Sequence, residues 1–168
     1  MTPGLRKLGL TAHVACSVGW LGAVIVFVVL AVVGLTSEDA QTVRSAYLVM
    51  EPAGWFVLVP LALASLLTGL VQAVGTTWGL FRHYWVLFKL LINVFATIVL
   101  LMYMQTLGSL ADVAANPRAD LDVVRSPSPL LHAGAALMLL LTATVLAVYK
   151  PRGLTPYGRR SHAARPPM

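Results

Sequence analysis

Four long apolar runs dominate this sequence, and each is long enough to cross a lipid bilayer. They cover approximately residues 8–34, 53–74, 84–107 and 129–149. A helix needs about 20 predominantly apolar residues to span the hydrocarbon core. The chain is 58% hydrophobic and 11% charged, a composition that excludes an ordinary soluble domain. We therefore predict an all-α integral membrane four-helix bundle that forms a single membrane domain over residues 1–168, with a basic tail at 150–168.

The charged residues are segregated between the connections of these runs. All six acidic residues lie in two segments, at positions 38, 39 and 51 and at positions 112, 120 and 122. Basic residues instead mark the N-terminus (Arg6, Lys7), the connection between the second and third runs (Arg82) and the C-terminal tail (Lys150, Arg152, Arg159, Arg160, Arg165). Because cytoplasmic loops carry an excess of Lys and Arg, we predict that both termini are cytoplasmic.

The net charge of +6 suits contact with anionic lipid head groups. The basic tail lacks interleaved aromatic residues and any recognition motif, so we predict no nucleic-acid partner. Cys16 is the one cysteine in the chain, which excludes an intrachain disulfide.

In the first acidic segment, Thr36 and Asp39 have the spacing of a helix cap. We predict a short amphipathic helix after them, with Ala46, Tyr47, Val49 and Met50 against the membrane surface. We expect the tail after Gly153 to be disordered in part.

Each apolar run carries polar or small residues at helical spacing. These are His13, Ser17 and Trp20 on the first, Ser65, Thr68, Gly69 and Gln72 on the second, Trp85, Lys89, Asn93 and Thr97 on the third, and His132, Ala136 and Thr142 on the fourth. Lipid cannot satisfy polar groups, so we expect all four stripes to line one interior. For the Ser, Thr and Gly positions, close helix packing is the favoured interpretation.

Two ionisable residues, His13 and Lys89, lie inside spans at similar depths from the cytoplasmic ends. An intramembrane ionisable residue is a functional hypothesis by default. The alternatives are that Lys89 reaches the inner head groups and that His13 is a hydrogen-bonded packing residue.

His132 lies about one turn from the outer face, at the depth of Met102, Tyr103 and Met104 and near Met50. Imidazole with thioethers suits Cu(I) or a haem axial position, although methionine is also a common packing residue. His13 and His132 lie near opposite faces of a core about 30 Å thick, so they cannot ligate one iron.

Two sequence motifs resemble known membrane families. His13-Val-Ala-Cys-Ser-Val-Gly-Trp20-Leu-Gly22 resembles the first span of the copper-resistance protein D family and of J-type membrane protoporphyrinogen oxidases, and Trp85-Val-Leu-Phe-Lys89-Leu90 resembles their third span. Over nearly its whole length the chain is similar to domain-of-unknown-function family 2269, uncharacterised four-span proteins common in high-GC Gram-positive bacteria. The residues that carry this likeness are 78–89, beginning with Trp78, and 149–158.

The resemblance implies a buried His and Lys near a haem or metal. Tyr103-Met104 stands where the oxidases have a second His. We predict a small bacterial plasma-membrane protein that binds haem b or a related tetrapyrrole in a redox role, with quinone or another redox partner and possible homo-oligomers. The predicted cofactor-binding residues are His13 as iron ligand, Trp20, Arg82, Trp85 and Lys89. The alternatives are a copper-handling protein that uses His132 and Met102, and a structural or accessory subunit.

Overall fold

The protein is built from helices that follow one another with short connections. The computed structural model describes residues 2–75, 79–151 and 153–163. Its elements are α1 (Pro3–Thr36), α2 (Ala40–Ala53), a π-helical segment (Gly54–Leu58), α3 (Val59–Gly75), α4 (Tyr84–Ala115), a 3-10 turn (Leu121–Val123), α5 (Ser128–Tyr149) and α6 (Pro156–Ala163). Trp78, Arg152 and Arg165, which belong to the motif and basic positions above, lie outside the described residues.

Four helical stretches are long and apolar enough to cross a membrane. They are Pro3–Thr36, Ala40–Gly75, Tyr84–Ala115 and Leu121–Tyr149. The prediction of an all-α, four-helix integral membrane protein is confirmed. At about 1.5 Å per residue, the 34-residue α1 measures roughly 50 Å, which exceeds a hydrocarbon core of about 30 Å. The long helices therefore extend beyond the predicted apolar runs.

The four spans form a ring of antiparallel neighbours. Helix α1 packs against α3 and α5, and α4 packs against the same two helices, so α1 and α4 occupy diagonal corners. One end of this ring carries the acidic segments, and the other carries the start of α1, the end of α5 and the 79–83 connection. We call these the acidic end and the basic end. The cytoplasmic placement of the basic end stays a prediction.

Helix α2 confirms the predicted amphipathic helix but differs in its cap and its contacts. Asp39 is the N-cap, and its carboxylate accepts hydrogen bonds from the backbone N–H groups of Gln41 and Thr42. Tyr47 and Met50 are buried in the core instead of lying against the membrane surface, as expected for a helix that packs between α1 and α4. Val49 is exposed.

A π-helical segment joins α2 to α3. Its i→i−5 pattern is seen in the Val59 N–H, which donates to the carbonyl of Gly54. Pro52 and Pro60 flank the segment, and neither can donate the backbone hydrogen bond that a regular helix requires. A Cβ at Gly54 would lie 2.8 Å from the sulfur of Met104. The glycine therefore lets Met104 pack directly on this helix.

At the acidic end, Arg44 fastens the chain that leaves α4. Its guanidinium donates hydrogen bonds at 2.6 to 3.3 Å to four backbone carbonyls, those of Ala114, Asn116, Pro117 and Ala119. The planar fork of donors on an arginine suits this task, because one side chain can reach several acceptors.

At the basic end, residues 153–158 dock on residues 79–84, and the predicted partial disorder of the tail stays a prediction. The Thr155 N–H donates to the carbonyl of Arg82 at 3.0 Å, and the Tyr84 N–H donates to the carbonyl of Gly153 at 3.3 Å. The Thr155 hydroxyl donates to the carbonyl of Phe81. We call this contact the basic-end clasp.

Candidate functional site

A cavity of about 210 Å³ lies in the acidic half of the bundle, between α1, α4 and α5 and beneath the end of α2. Its walls are almost wholly apolar. The lining residues are Trp20, Val24, Phe27, Met50, Leu58, Phe95, Ala96, Val99, Leu100, Tyr103, Met104, Leu107, Pro129, His132, Ala133, Ala135, Ala136 and Leu139. The bulky side chains of α1 and α4 meet small alanines of α5 here, which leaves the space open.

One edge of the cavity is polar. The rings of Tyr103 and His132 stack with centroids 3.9 Å apart and planes 19° from parallel. Ser128 lies one helical turn before His132, and its carbonyl is 2.9 Å from the His132 Nδ1. A carbonyl only accepts, so Nδ1 is the donor in this contact, and the matching neutral tautomer keeps a lone pair on Nε2. The Tyr103 hydroxyl is 3.2 Å from the Ser128 hydroxyl.

Two methionines face the same cavity. Met50 and Met104 line it, and each is 1% exposed. Met102, the predicted metal ligand, is 70% exposed and does not line the cavity. Because consecutive helical residues point about 100° apart, Met102 and Met104 cannot face one side of α4 together. Met104 is thus the methionine of α4 that shares the cavity with His132.

In the basic half, polar side chains of α1, α3 and α4 meet around Ser65. The Ser17 hydroxyl lies 2.9 Å from the Ser65 hydroxyl, and the Asn93 amide donates to the same oxygen at 3.4 Å. His13 Nδ1 lies 3.1 Å from both the Ser65 carbonyl and the Thr68 hydroxyl. We call these five residues the Ser65 cluster. Three of the predicted stripes meet here, whereas His132 and Ala136 of the fourth line the cavity.

The remaining predicted cofactor residues lie towards the basic end. Lys89 is half-buried in the second turn of α4. The Trp85 ring centroid is 6.5 Å from that of His83, and the Arg82 carbonyl belongs to the basic-end clasp. None of these side chains lines the cavity.

The cavity does not fit a haem ligated by His13. Of the five predicted cofactor residues, Trp20 alone borders it. Its volume of about 210 Å³ is below the roughly 300–1,000 Å³ typical of cofactor and drug-sized ligand sites. Within the part of the chain that the structure describes, no group of three or more His, Cys, Asp or Glu residues could hold a metal ion. Haem binding through His13 therefore stays a prediction.

Sequence reasoning placed Tyr103, Met104 and Met50 near the depth of His132 but missed Ser128. The sequence signal that could have identified Ser128 is its spacing from His132. The two residues are four positions apart, which places them on the same face of a helix. No family model, curated protein or solved structure matches this chain. The site geometry is therefore the basis for any functional argument.

Proposed function

We propose that this integral membrane protein binds a small redox-active molecule of the quinone class in the cavity of the acidic half. The observation that carries the proposal is a single polar edge, formed by Tyr103 and His132, on an otherwise apolar cavity. A quinone has the same distribution, with an apolar ring and carbonyl oxygens at its ends. An apolar protein cavity of about 150 Å³ holds benzene, so a cavity of this size suits one substituted ring.

The polar edge can recognise both redox forms of such a ring. The Tyr103 hydroxyl can donate a hydrogen bond to a quinone carbonyl. The His132 Nε2 keeps a lone pair, because Nδ1 is directed at the Ser128 carbonyl, and it can accept a hydrogen bond from a hydroquinone hydroxyl. The walls beside this edge are apolar, while Tyr103 is half-buried and His132 is exposed on α5.

Binding of a short-chain benzoquinone to protein in neutral phosphatidylcholine vesicles tests the proposal. Filling the cavity with Ala136→Phe should abolish binding, and His132→Phe, which keeps the ring but removes Nε2, should weaken hydroquinone binding about tenfold, or ~1.4 kcal/mol. Val148→Phe is the matched control, because Val148 lies on the same helix and is exposed. Unchanged binding in Ala136→Phe would place the ligand elsewhere.

A second candidate is Cu(I) handling, favoured by the thioethers of Met50 and Met104 on the same cavity as the free Nε2 of His132. Soft sulfur ligands with an imidazole suit Cu(I), and the bond from Nδ1 to the Ser128 carbonyl is the kind that orients metal-binding histidines. In chelator competition, Met104→Leu should bind Cu(I) at least tenfold more weakly, with Met102→Leu as the control. Equal affinities would remove this candidate.

The haem prediction is separated from both candidates by oxidised and reduced pigment spectra of the purified protein. Haem lost or changed in spin state in His13→Ala would assign that residue as the ligand of a haem site outside the cavity. A colourless protein that binds quinone would support the quinone proposal. Homo-oligomers and an accessory role stay predictions.

A further inference from the structure

The cavity of the acidic half has an opening on one side of the bundle, where α4 and α5 meet. Three residues that line the cavity are also exposed at the surface, namely Phe95 on α4 and His132 and Ala135 on α5. The lining residues that come from α1, α2 and the π-helical segment are all buried. A side chain that borders both the cavity and the outside marks the mouth of the cavity, so the cavity opens between α4 and α5.

The stacked rings of Tyr103 and His132 fix the register of the two helices at this mouth. Because α4 and α5 run antiparallel, one turn from Tyr103 towards the basic end reaches Val99, and the matching turn of α5 reaches Ala135. One further turn along each helix reaches the last pair of lining residues. We call this mouth the α4–α5 seam. Its residues, from the acidic end towards the basic end, are Tyr103 and His132, Val99 and Ala135, and Phe95 and Leu139.

The seam opens at membrane depth onto an apolar surface. Val99 lies at the middle of the 32-residue α4, which places it well inside a hydrocarbon core of about 30 Å. The chain neighbours of the seam residues include exposed apolar side chains, which are Ile98 and Met102 on α4 and Leu131 and Met138 on α5. In a membrane span such side chains contact lipid. The mouth of the cavity therefore leads into the bilayer and not into water.

The size of the cavity limits which part of a ligand it can enclose. An apolar protein cavity of about 150 Å³ holds benzene, so the volume of about 210 Å³ leaves only about 60 Å³ beyond one ring. A ligand that has both a ring and a long tail must therefore extend its tail out of the cavity. The small side chain of Ala135 leaves room for a tail at the middle of the seam.

We propose that the quinone-class ligand is lipid-soluble, with its ring in the cavity and an apolar tail that leaves through the α4–α5 seam and lies among the acyl chains. This inference rests on the quinone function proposed above, to which it adds the ligand class and the route of entry. The carbonyl end of the ring then meets the Tyr103–His132 edge, and the tail leaves beside Val99 and Ala135. Because the tail and this part of the seam are both apolar, their contact leaves no polar group without a partner.

Photolabelling in phosphatidylcholine nanodiscs tests the route. The probe is a benzoquinone with a decyl tail that carries a diazirine, and the competitor is the short-chain benzoquinone, both added per mole of lipid. Peptide mass spectrometry should place the label on the seam around Val99 and Ala135, and excess competitor should remove it. Label on Val29, an exposed control residue on α1, should not respond to the competitor. Seam label that the competitor leaves in place would overturn the route.

Two variants of α5 sharpen the test. Ala135→Phe places a large side chain in the seam, and the resulting overpacking should reduce seam labelling about tenfold. Met138→Phe is the matched control, because Met138 is exposed on the same helix and does not line the cavity, and this variant should label like wild type. Equal labelling of the two variants would contradict the inference.

The outcomes separate this inference from the proposed function. If short-chain benzoquinone binds and Ala136→Phe abolishes that binding, but the tailed probe does not label the seam, the quinone function stands and the tail route fails. If neither quinone binds, both fail. Seam label from a photoreactive phospholipid that neither quinone displaces would assign the seam to a lipid chain and overturn the route.

Discussion

The two halves of the bundle are held together by different interactions. In the acidic half, large apolar side chains such as Trp20 and Phe27 pack around a cavity whose polar edge is formed by Tyr103 and His132. In the basic half, hydroxyl and amide groups cross between helices around Ser65. The space for a ligand thus occurs in the half where bulky side chains meet small ones, whereas the half rich in hydrogen bonds is closely joined.

The connections at the two ends of the bundle are also held by different kinds of hydrogen bond. One arginine fastens the acidic end by donating to backbone carbonyls, while the basic end is closed by backbone pairing between residues 79–84 and 153–158. Lipid gives no hydrophobic driving force between helices, so packing and hydrogen bonds must fix their arrangement. The comparison teaches that the two ends are held by different kinds of contact, and each of these contacts can be tested by a single substitution.

The largest effect is expected for Arg44→Ala at the acidic end. It leaves four backbone carbonyls without their charged donor, and we expect a loss of about 2–3 kcal/mol in the free energy of unfolding. Hydrogen exchange over residues 114–119 should rise sharply. Arg118→Ala is the control, because Arg118 is exposed in the same segment. Equal exchange in the two variants would show that Arg44 does not fasten this end.

At the basic end, Gly158→Ala tests the clasp. A Cβ at this position would lie 2.4 Å from the carbonyl oxygen of Arg82, a backbone atom that cannot move aside easily. We expect a destabilisation of about 1–3 kcal/mol, confined to the clasp and visible as faster exchange of the Tyr84 and Thr155 amides. Gly134→Ala, where a Cβ would meet nothing within 4 Å, should leave both amides protected. Unchanged protection in Gly158→Ala would mean that the clasp tolerates the methyl group.

The contrast between the halves also shows what sequence periodicity can predict. The number of spans and the shared depth of His132 and Tyr103 follow from run length and a rise of about 1.5 Å per residue. The four polar stripes were expected to share one interior, yet only three meet at Ser65. Periodicity identifies the polar face of each helix but not how the helices are rotated and packed against one another, which decides where each stripe lies.

The basic-end clasp and the hydrogen bonds of Arg44 could not be predicted from the sequence. Both depend on backbone carbonyls, which every residue carries, so no side-chain pattern marks them. Thr155 appeared as part of a Pro- and Arg-rich tail, a composition typical of disorder. It pairs with Arg82, more than 70 positions earlier in the chain. Helix geometry alone shows that Met102 and Met104 cannot share one face, but the packing of the helices decided that Met104 borders the cavity.

A smaller effect is expected where the basic half is joined. Ser65→Ala removes the oxygen shared by Ser17 and Asn93, and polar contacts between membrane helices average about 0.6 kcal/mol. We expect a loss of roughly 1 kcal/mol in unfolding free energy, measured in mixed micelles. Ser109→Ala is the control, because Ser109 is exposed and bonds only within its own helix. A loss no greater than that of the control would contradict the contrast between the halves.

The smallest effect concerns Asp39, the fully exposed cap of α2. The Thr42 hydroxyl, followed by the backbone N–H groups of Thr42 and Gln41, holds the pKa of Asp39 below its usual value. A lowered pKa in the folded state means that the carboxylate stabilises α2 above the ordinary carboxyl pKa of about 3.9, and that this stabilisation is lost as the pH falls through the lowered value.

Carboxyl ¹³C shifts against pH should therefore show Asp39 titrating below the ordinary range in wild type and closer to it in Thr42→Val, which keeps the backbone bonds. The side chain introduced by Asp39→Asn still caps the helix but carries no titrating carboxylate. Amide exchange at Gln41 and Thr42 in this variant should therefore follow only the intrinsic pH dependence of exchange in this window. A wild-type titration that coincides with that of Thr42→Val would show that the hydroxyl contributes nothing. The lowered pKa of Asp39 would then come from the backbone N–H groups of Thr42 and Gln41, which hold the carboxylate in both proteins.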